Sequence, residues 1–339
     1  MSMQTALRGV RQVTAYAALA WLAAAPLHAA PTPPANEAAT DAFWRGDFGA
    51  LEQQNALYRQ PGSFDTNGGS QLSQMRMGLD RVTDNKTANA EAYLSEVDRL
   101  TLQWAQAQPQ SALAHILHAR ALSAHGWSYR GNGLADEVPA QAMRDFIAYQ
   151  QRAVKYLQLH ADVALNDSYA HYTLIAIGKT LNWDRKALQA IAQQGLAVNP
   201  QDIDIPVEIV ASLLPKWGGD ARSLDAYIRQ ASAQSRAFLG TGLYALLYSA
   251  AAKNQYQHAL FQDSHANWDL VKQGYDDFLQ RYPASNAKRN RYAWMACMAK
   301  DRATLLALLG QLGTNIDLAE WGANPERGLE ACRKWATQL

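Results

Sequence analysis

Apolar residues along this chain recur at three- and four-residue steps, and each such run stops at a proline or a glycine. Across 92–107, Leu94, Val97, Leu100 and Trp104 fall on one face of a helix that ends before Pro109. Ser111 is placed to cap a second helix carrying Leu113, Leu117, Ala121 and Leu122. A third opens with Pro139 in its first turn and runs through Phe146, Ala153 and Leu157. The pattern returns over 185–198, ending at Asn199-Pro200, and over 268–281, ending at Tyr282-Pro283. A strand would instead alternate with a period of two. Residue types agree with the spacing: about 100 Ala plus Leu stand against about 20 Val plus Ile, and helices favour the first pair. The predicted fold is all-α. Breaks near Pro109, Asn166, Pro200, Gly240 and Pro283 leave intervals of about 34 to 57 residues, each close to one antiparallel helix hairpin, which predicts an α-solenoid of stacked hairpins.

The N-terminus reads as an address. Arg8 and Arg11 precede an Ala- and Leu-rich stretch over 13–25, which Pro26 breaks ahead of Leu27-His28-Ala29-Ala30. A charged, an apolar and a small-residue region in that order form a secretory signal peptide. The apolar stretch of about 13 residues falls short of the ~20 that a bilayer-spanning helix needs. We therefore assign 1–29 to a signal peptide cleaved after Ala29, 30–37 to a stiff Pro-rich tail, and 38–339 to a single helical domain. The mature chain is expected in the periplasm or secreted, without a transmembrane segment. Loss of Arg8 and Arg11 leaves 29 basic side chains against 30 acidic ones, a balance that argues against nonspecific nucleic-acid binding.

Several turns carry the marks of tetratricopeptide-type repeats. Gly46-Asp47-Phe48 leads into Ala50-Leu51, Asn254-Gln255-Tyr256 leads into Ala259-Leu260, and Gly195-Leu196 precedes Asn199-Pro200. On a wider scale, the phrases Phe43-Trp44-Arg45-Gly46-Asp47-Phe48, Trp127-Ser128-Tyr129-Arg130-Gly131-Asn132-Gly133 and Leu214-Pro215-Lys216-Trp217-Gly218-Gly219 are similar to a bacterial tetratricopeptide-like family carrying domain of unknown function 4034. That resemblance covers nearly the whole mature chain. It implies a helical-repeat fold and brings no activity with it.

Fragments that look catalytic are better read as structure. Gly178-Lys179-Thr180 ends like a phosphate-binding loop, but Thr173 stands where the earlier glycine is required and the segment continues a helical pattern. His115 and His118 lie one helical turn apart, with His125 two turns on, yet no carboxylate or cysteine sits nearby in sequence to complete a metal shell. Lys288-Arg289-Asn290-Arg291 is a short basic run expected on a solvated face. No Gly-x-Ser-x-Gly, His-Glu-x-x-His or Cys-x-x-Cys pattern occurs, so neither catalysis, a metal nor a cofactor is expected.

Two segments carry a weak binding pattern. Trp127, Tyr129 and Arg130 beside Gly131 and Gly133 place aromatic faces and a five-donor cation in a flexible loop. Lys216, Trp217 and Asp220 flank Gly218-Gly219 in the same style. The competing explanation is that these aromatics plug helix ends while glycine supplies a left-handed cap. The expected function is a non-catalytic binding or scaffold protein with a groove for a peptide or protein partner of the cell envelope. The alternative is an envelope enzyme acting on peptide or glycan, with a site in the Trp127-Gly133 and Leu214-Asp220 loops and acid and base drawn from scattered carboxylates such as Asp136 and Asp220. Cys297, late in a helix predicted over 286–299, and Cys332, in a final helix over 326–337, are expected to form one disulfide in an oxidising compartment.

Overall fold

The computed structural model describes residues 33–84 and 89–338. The signal peptide assigned to 1–29 and its cleavage point lie outside them. Eighteen α-helices run through the described residues. They are α1 (Ala35–Trp44), α2 (Phe48–Tyr58), α3 (Gln71–Thr83), α4 (Ala90–Ala107), α5 (Ala112–Arg130), α6 (Ala140–Leu159), α7 (Ala161–Ala164), α8 (Ser168–Thr180) and α9 (Arg185–Val198). There follow α10 (Asp204–Ser212), α11 (Ala221–Gln234), α12 (Arg236–Leu239), α13 (Gly242–Ala251), α14 (Leu260–Asp263), α15 (Trp268–Arg281), α16 (Asn286–Met298), α17 (Arg302–Leu312) and α18 (Pro325–Thr337). No strand forms among the described residues, and an isolated bridge pairs Phe64 with Ser70. The chain is all-α.

Short polar side chains start these helices. Asp47, Ser70, Asn89, Ser111, Asp167, Asp184, Asp220, Asn267 and Asp301 each accept a backbone N–H of the first turn that follows. Such caps satisfy donors that the helix cannot, and each stabilises by about 1 kcal/mol. The first helix opens at Ala35, inside the stretch expected to be an extended tail. Pro34 fixes the turn into it, Ala39, Ala42 and Phe43 bury one face, and Thr40 donates to the Gly78 carbonyl of α3 at 2.8 Å.

Neighbouring helices pair as α1 with α3, α4 with α5, α5 with α6, α8 with α9, α13 with α15 and α16 with α17. Their apolar faces build two cores. Leu51, Met75, Trp104, Ile116, Leu157 and Tyr169 belong to the first; Leu188, Ile205, Leu224, Tyr248, Trp294 and Trp321 belong to the second. Helix α8 serves both, because Ile175 and Ile177 are two positions apart and so point to opposite sides of the helix. Burial of each large side chain contributes about 1.5–3 kcal/mol. At the far end, Cys297 of α16 and Cys332 of α18 are joined as a disulfide with Cα atoms 5.7 Å apart.

Contacts also reach past sequential neighbours. Asn55 of α2 donates to Asp167 at 2.7 Å, Ser73 of α3 donates to Asp204 at 2.6 Å, and the Phe64 ring lies 6.2 Å from that of Tyr282. The N-terminal helices are therefore seated on α8, α10 and α15 as well as on each other. No described helix is long and apolar enough to cross a membrane.

Candidate binding cleft

Charged residues meet where α3, α8 and α10 converge. Arg76, 4% exposed, reaches both Asp202 oxygens from Nη1 at 2.9 Å, Asp204 Oδ2 at 2.8 Å and Ser168 Oγ from Nη2 at 3.2 Å, with Asp167 at 3.8 Å. Burial opposes the charge on Arg76, but the three carboxylates overcome it and raise the guanidinium further above its ordinary value. For Asp202 burial is the larger influence and raises its carboxyl, against the lowering effect of Arg76. The Arg76 Cζ lies 4.6 Å from the Tyr169 ring centroid, and Arg120 of α5 approaches the same ring at 4.9 Å.

Arg120 forms the floor of a cleft of about 530 Å³ between α3, α4, α5 and α8. Its Nη2 donates to Asp80 Oδ1, its Nη1 donates to Thr173 at 3.4 Å, and its face lies 5.4 Å from the Tyr172 centroid. Tyr169 adds a hydroxyl donor to Asp80 Oδ1 at 3.2 Å. Asp84, Ser123 and Trp127 complete the rim with Thr83 and Ser128. Four lining hydroxyls hand their protons to protein acceptors: Thr83 to the Asp80 carbonyl at 3.0 Å, Ser123 to Gln150 Oε1 at 2.8 Å, Ser128 to the His125 carbonyl at 2.7 Å and Thr173 to the Tyr169 carbonyl at 2.8 Å. None of these four is hydrogen-bonded to an imidazole or a carboxylate that would activate it as a nucleophile.

No family model, no curated protein and no solved structure matches this chain. What the cleft can do therefore rests on its own geometry.

Of the six residues singled out from sequence, Trp127 lines this cleft and the others do not. Trp127, Tyr129 and Arg130 belong to the last turns of α5, where a loop was expected. The helix persists through Gly126 and stops at Gly131, whose φ of +64° lets the chain leave after its N–H closes on the Trp127 carbonyl. Arg130 covers the Trp127 ring at 5.2 Å and donates to the Gly131 and Gly133 carbonyls. Tyr129 donates to Glu91 at 2.8 Å, and the His125 hydrogen bond, followed by that of Tyr129, holds the Glu91 carboxyl below the usual range. In the second segment, Lys216 donates to the Asn254 carbonyl at 2.8 Å, Trp217 lies under Lys179 at 5.0 Å, and Asp220 caps α11 through Ser223. Asp136 stands exposed in a short 3-10 turn.

Other fragments resolve into structure. His115 is hydrogen-bonded to Tyr156 and the Pro109 carbonyl, His118 to Thr101 beside Asp98, and His125 to Glu91, so the three imidazoles have separate polar partners. Among the described residues no group of three or more potential ligands is placed to hold a metal. Gly178-Lys179-Thr180 lies within α8, and Lys179 donates to Glu208 at 2.6 Å. Arg291 is buried against Glu320 at 2.7 Å instead of lying on a solvated face. Arg76 and Arg120 were not among the residues expected to form a site, although both carry a signal in the sequence. Arg76 stands beside Met75 in the apolar stripe of Leu72, Leu79 and Val82, and Arg120 interrupts the run from Leu113 to Leu122, which is otherwise buried nearly all round.

Proposed function

We propose that this chain is an exported, non-catalytic helical-repeat protein of the tetratricopeptide-like kind, related to the family carrying domain of unknown function 4034. In this reading the cleft between α3, α4, α5 and α8 receives a segment of a peptide or protein partner of the cell envelope. One observation carries the reading: four hydroxyls of the cleft wall are already fixed to the scaffold, spent on carbonyl and amide acceptors, and Arg120 is held by Asp80. A preorganised wall of this kind binds without reorganising, and none of these four hydroxyls has a described base poised on it. Export is supported by the three-part N-terminus and by a disulfide, which persists in oxidising compartments.

The test is site-specific photocrosslinking in living cells, with the crosslinker at Asn132 on the cleft rim and, as control, at Leu306 on α17. Adducts to one defined polypeptide from Asn132 and none from Leu306 are expected. Identical adducts from both positions, or none from Asn132, would remove the cleft from the function.

A further inference from the structure

We infer that the cleft selects a basic side chain of the partner peptide, a lysine-type ammonium seated against Asp80; this rests on the peptide-binding reading above. A hydroxyl whose single proton is already donated presents only lone pairs to whatever enters. Thr83, Ser123, Ser128 and Thr173 are all in that state, and all four line the cleft. Asp80 extends the same character. Its two donors, Arg120 and Tyr169, both reach Oδ1, and no described residue donates to Oδ2, while the side chain stays 39% exposed.

Arg120 does not offset this surplus of acceptors. Nη2 donates to Asp80, Nη1 donates to Thr173, Nε is enclosed away from the cleft without a hydrogen-bond partner, and the plane is held near the Tyr169 and Tyr172 rings. What enters must bring donors. An ammonium is three donors and no acceptor, and its long apolar stem can run along the edges of Trp127 and Tyr172 while its charge meets Asp80. A carboxylate or phosphate would meet lone pairs. A neutral sugar presents as many acceptors as donors and would leave its own oxygens unpaired on such a wall.

The experiment titrates the mature protein by calorimetry with four probes: the blocked tripeptide Ala-Lys-Ala, its Nζ-acetylated copy, the blocked tripeptide Ala-Glu-Ala, and N-acetylglucosamine. Saturable binding of the lysine peptide, weakened by added salt and lost on acetylation, is expected. Asp80→Asn should weaken it about tenfold or more, the loss of one charge-assisted hydrogen bond. Because Asp80 also holds Arg120, the double variant Thr83→Val, Ser128→Ala removes acceptors without touching that pair, and it should weaken binding with an unchanged melting midpoint. Equal binding of the acetylated peptide, preference for the glutamate peptide or the sugar, or no binding at all overturns the inference. If the lysine peptide fails while crosslinks from Asn132 still label one partner, the groove stands and its cationic specificity falls; if both fail, both fall.

Discussion

Arg76 on α3 and Asp202 ahead of α10 stand 126 residues apart in the chain, yet both Asp202 oxygens accept from Arg76 Nη1 at 2.9 Å. The pair ties helices of the two apolar cores through a charge that neither core can solvate. Removing one partner of a buried ion cluster leaves the others uncompensated, so Arg76→Met should destabilise by about 3–5 kcal/mol in urea. Asp202→Asn added to it should restore part of that loss. Because burial already raises the Asp202 carboxyl, the Arg76→Met protein binds a proton more readily folded than unfolded, and its deficit should shrink as pH falls. An Arg76→Met protein as stable as its parent would show that the cluster contributes nothing.

Asp301 gives an acid dependence of opposite sign. Burial raises its carboxyl, but the Thr304 backbone and hydroxyl, Trp268 and Lys272 together outweigh burial and hold it at about 2. A folded value below the unfolded one of about 3.9 means stability that is present above that value and lost as pH falls toward 2. Urea midpoints of Asp301→Asn should therefore lie below the parent's at neutral pH and converge with them in acid. Parallel curves would refute the assignment.

The disulfide closes a 35-residue separation and should stabilise by about 4 kcal/mol on the chain-entropy account. Terminal helix α18 buries one face only, through Gly328, Leu329, Cys332 and Ala336, so the clamp acts at the end of the chain, where fraying begins. Cys332→Ser should lower the melting midpoint by several degrees, and thiol titration of the denatured, unreduced parent should find no free thiol.

Gly178 tests the phosphate-loop resemblance directly. A Cβ there would come within 2.7 Å of Leu188 Cδ2 and would also overlap Trp183. Gly178→Ala should cost about 1–3 kcal/mol through overpacking. A neutral substitution would mean that α8 is not packed closely against Trp183 and Leu188.

Edman sequencing of the protein from the periplasmic fraction should begin at Ala30. A chain retained in the cytosol with Met1 intact would overturn export.

Helix identity was local information and was readable as such. Over 185–198 and 268–281 the expected boundaries coincide with α9 and α15, because leucine spacing and a following proline act within a few residues of each other. The cysteine pair was readable too, since only two cysteines exist and both fall in the last helices. The cleft was not. Trp127 was found from its aromatic type, but Asp80, Arg120 and Thr173 come from three different helices, and nothing in a linear sequence gives the angle at which those helices cross. The same holds for Arg76, whose place in an apolar stripe announces a buried partner without naming Asp202. Period and punctuation settle which segments coil, because those terms are short-ranged. Which carboxylate neutralises which guanidinium depends on long-range contacts, where the cost of burying an unpaired charge selects one arrangement of helices that are already formed.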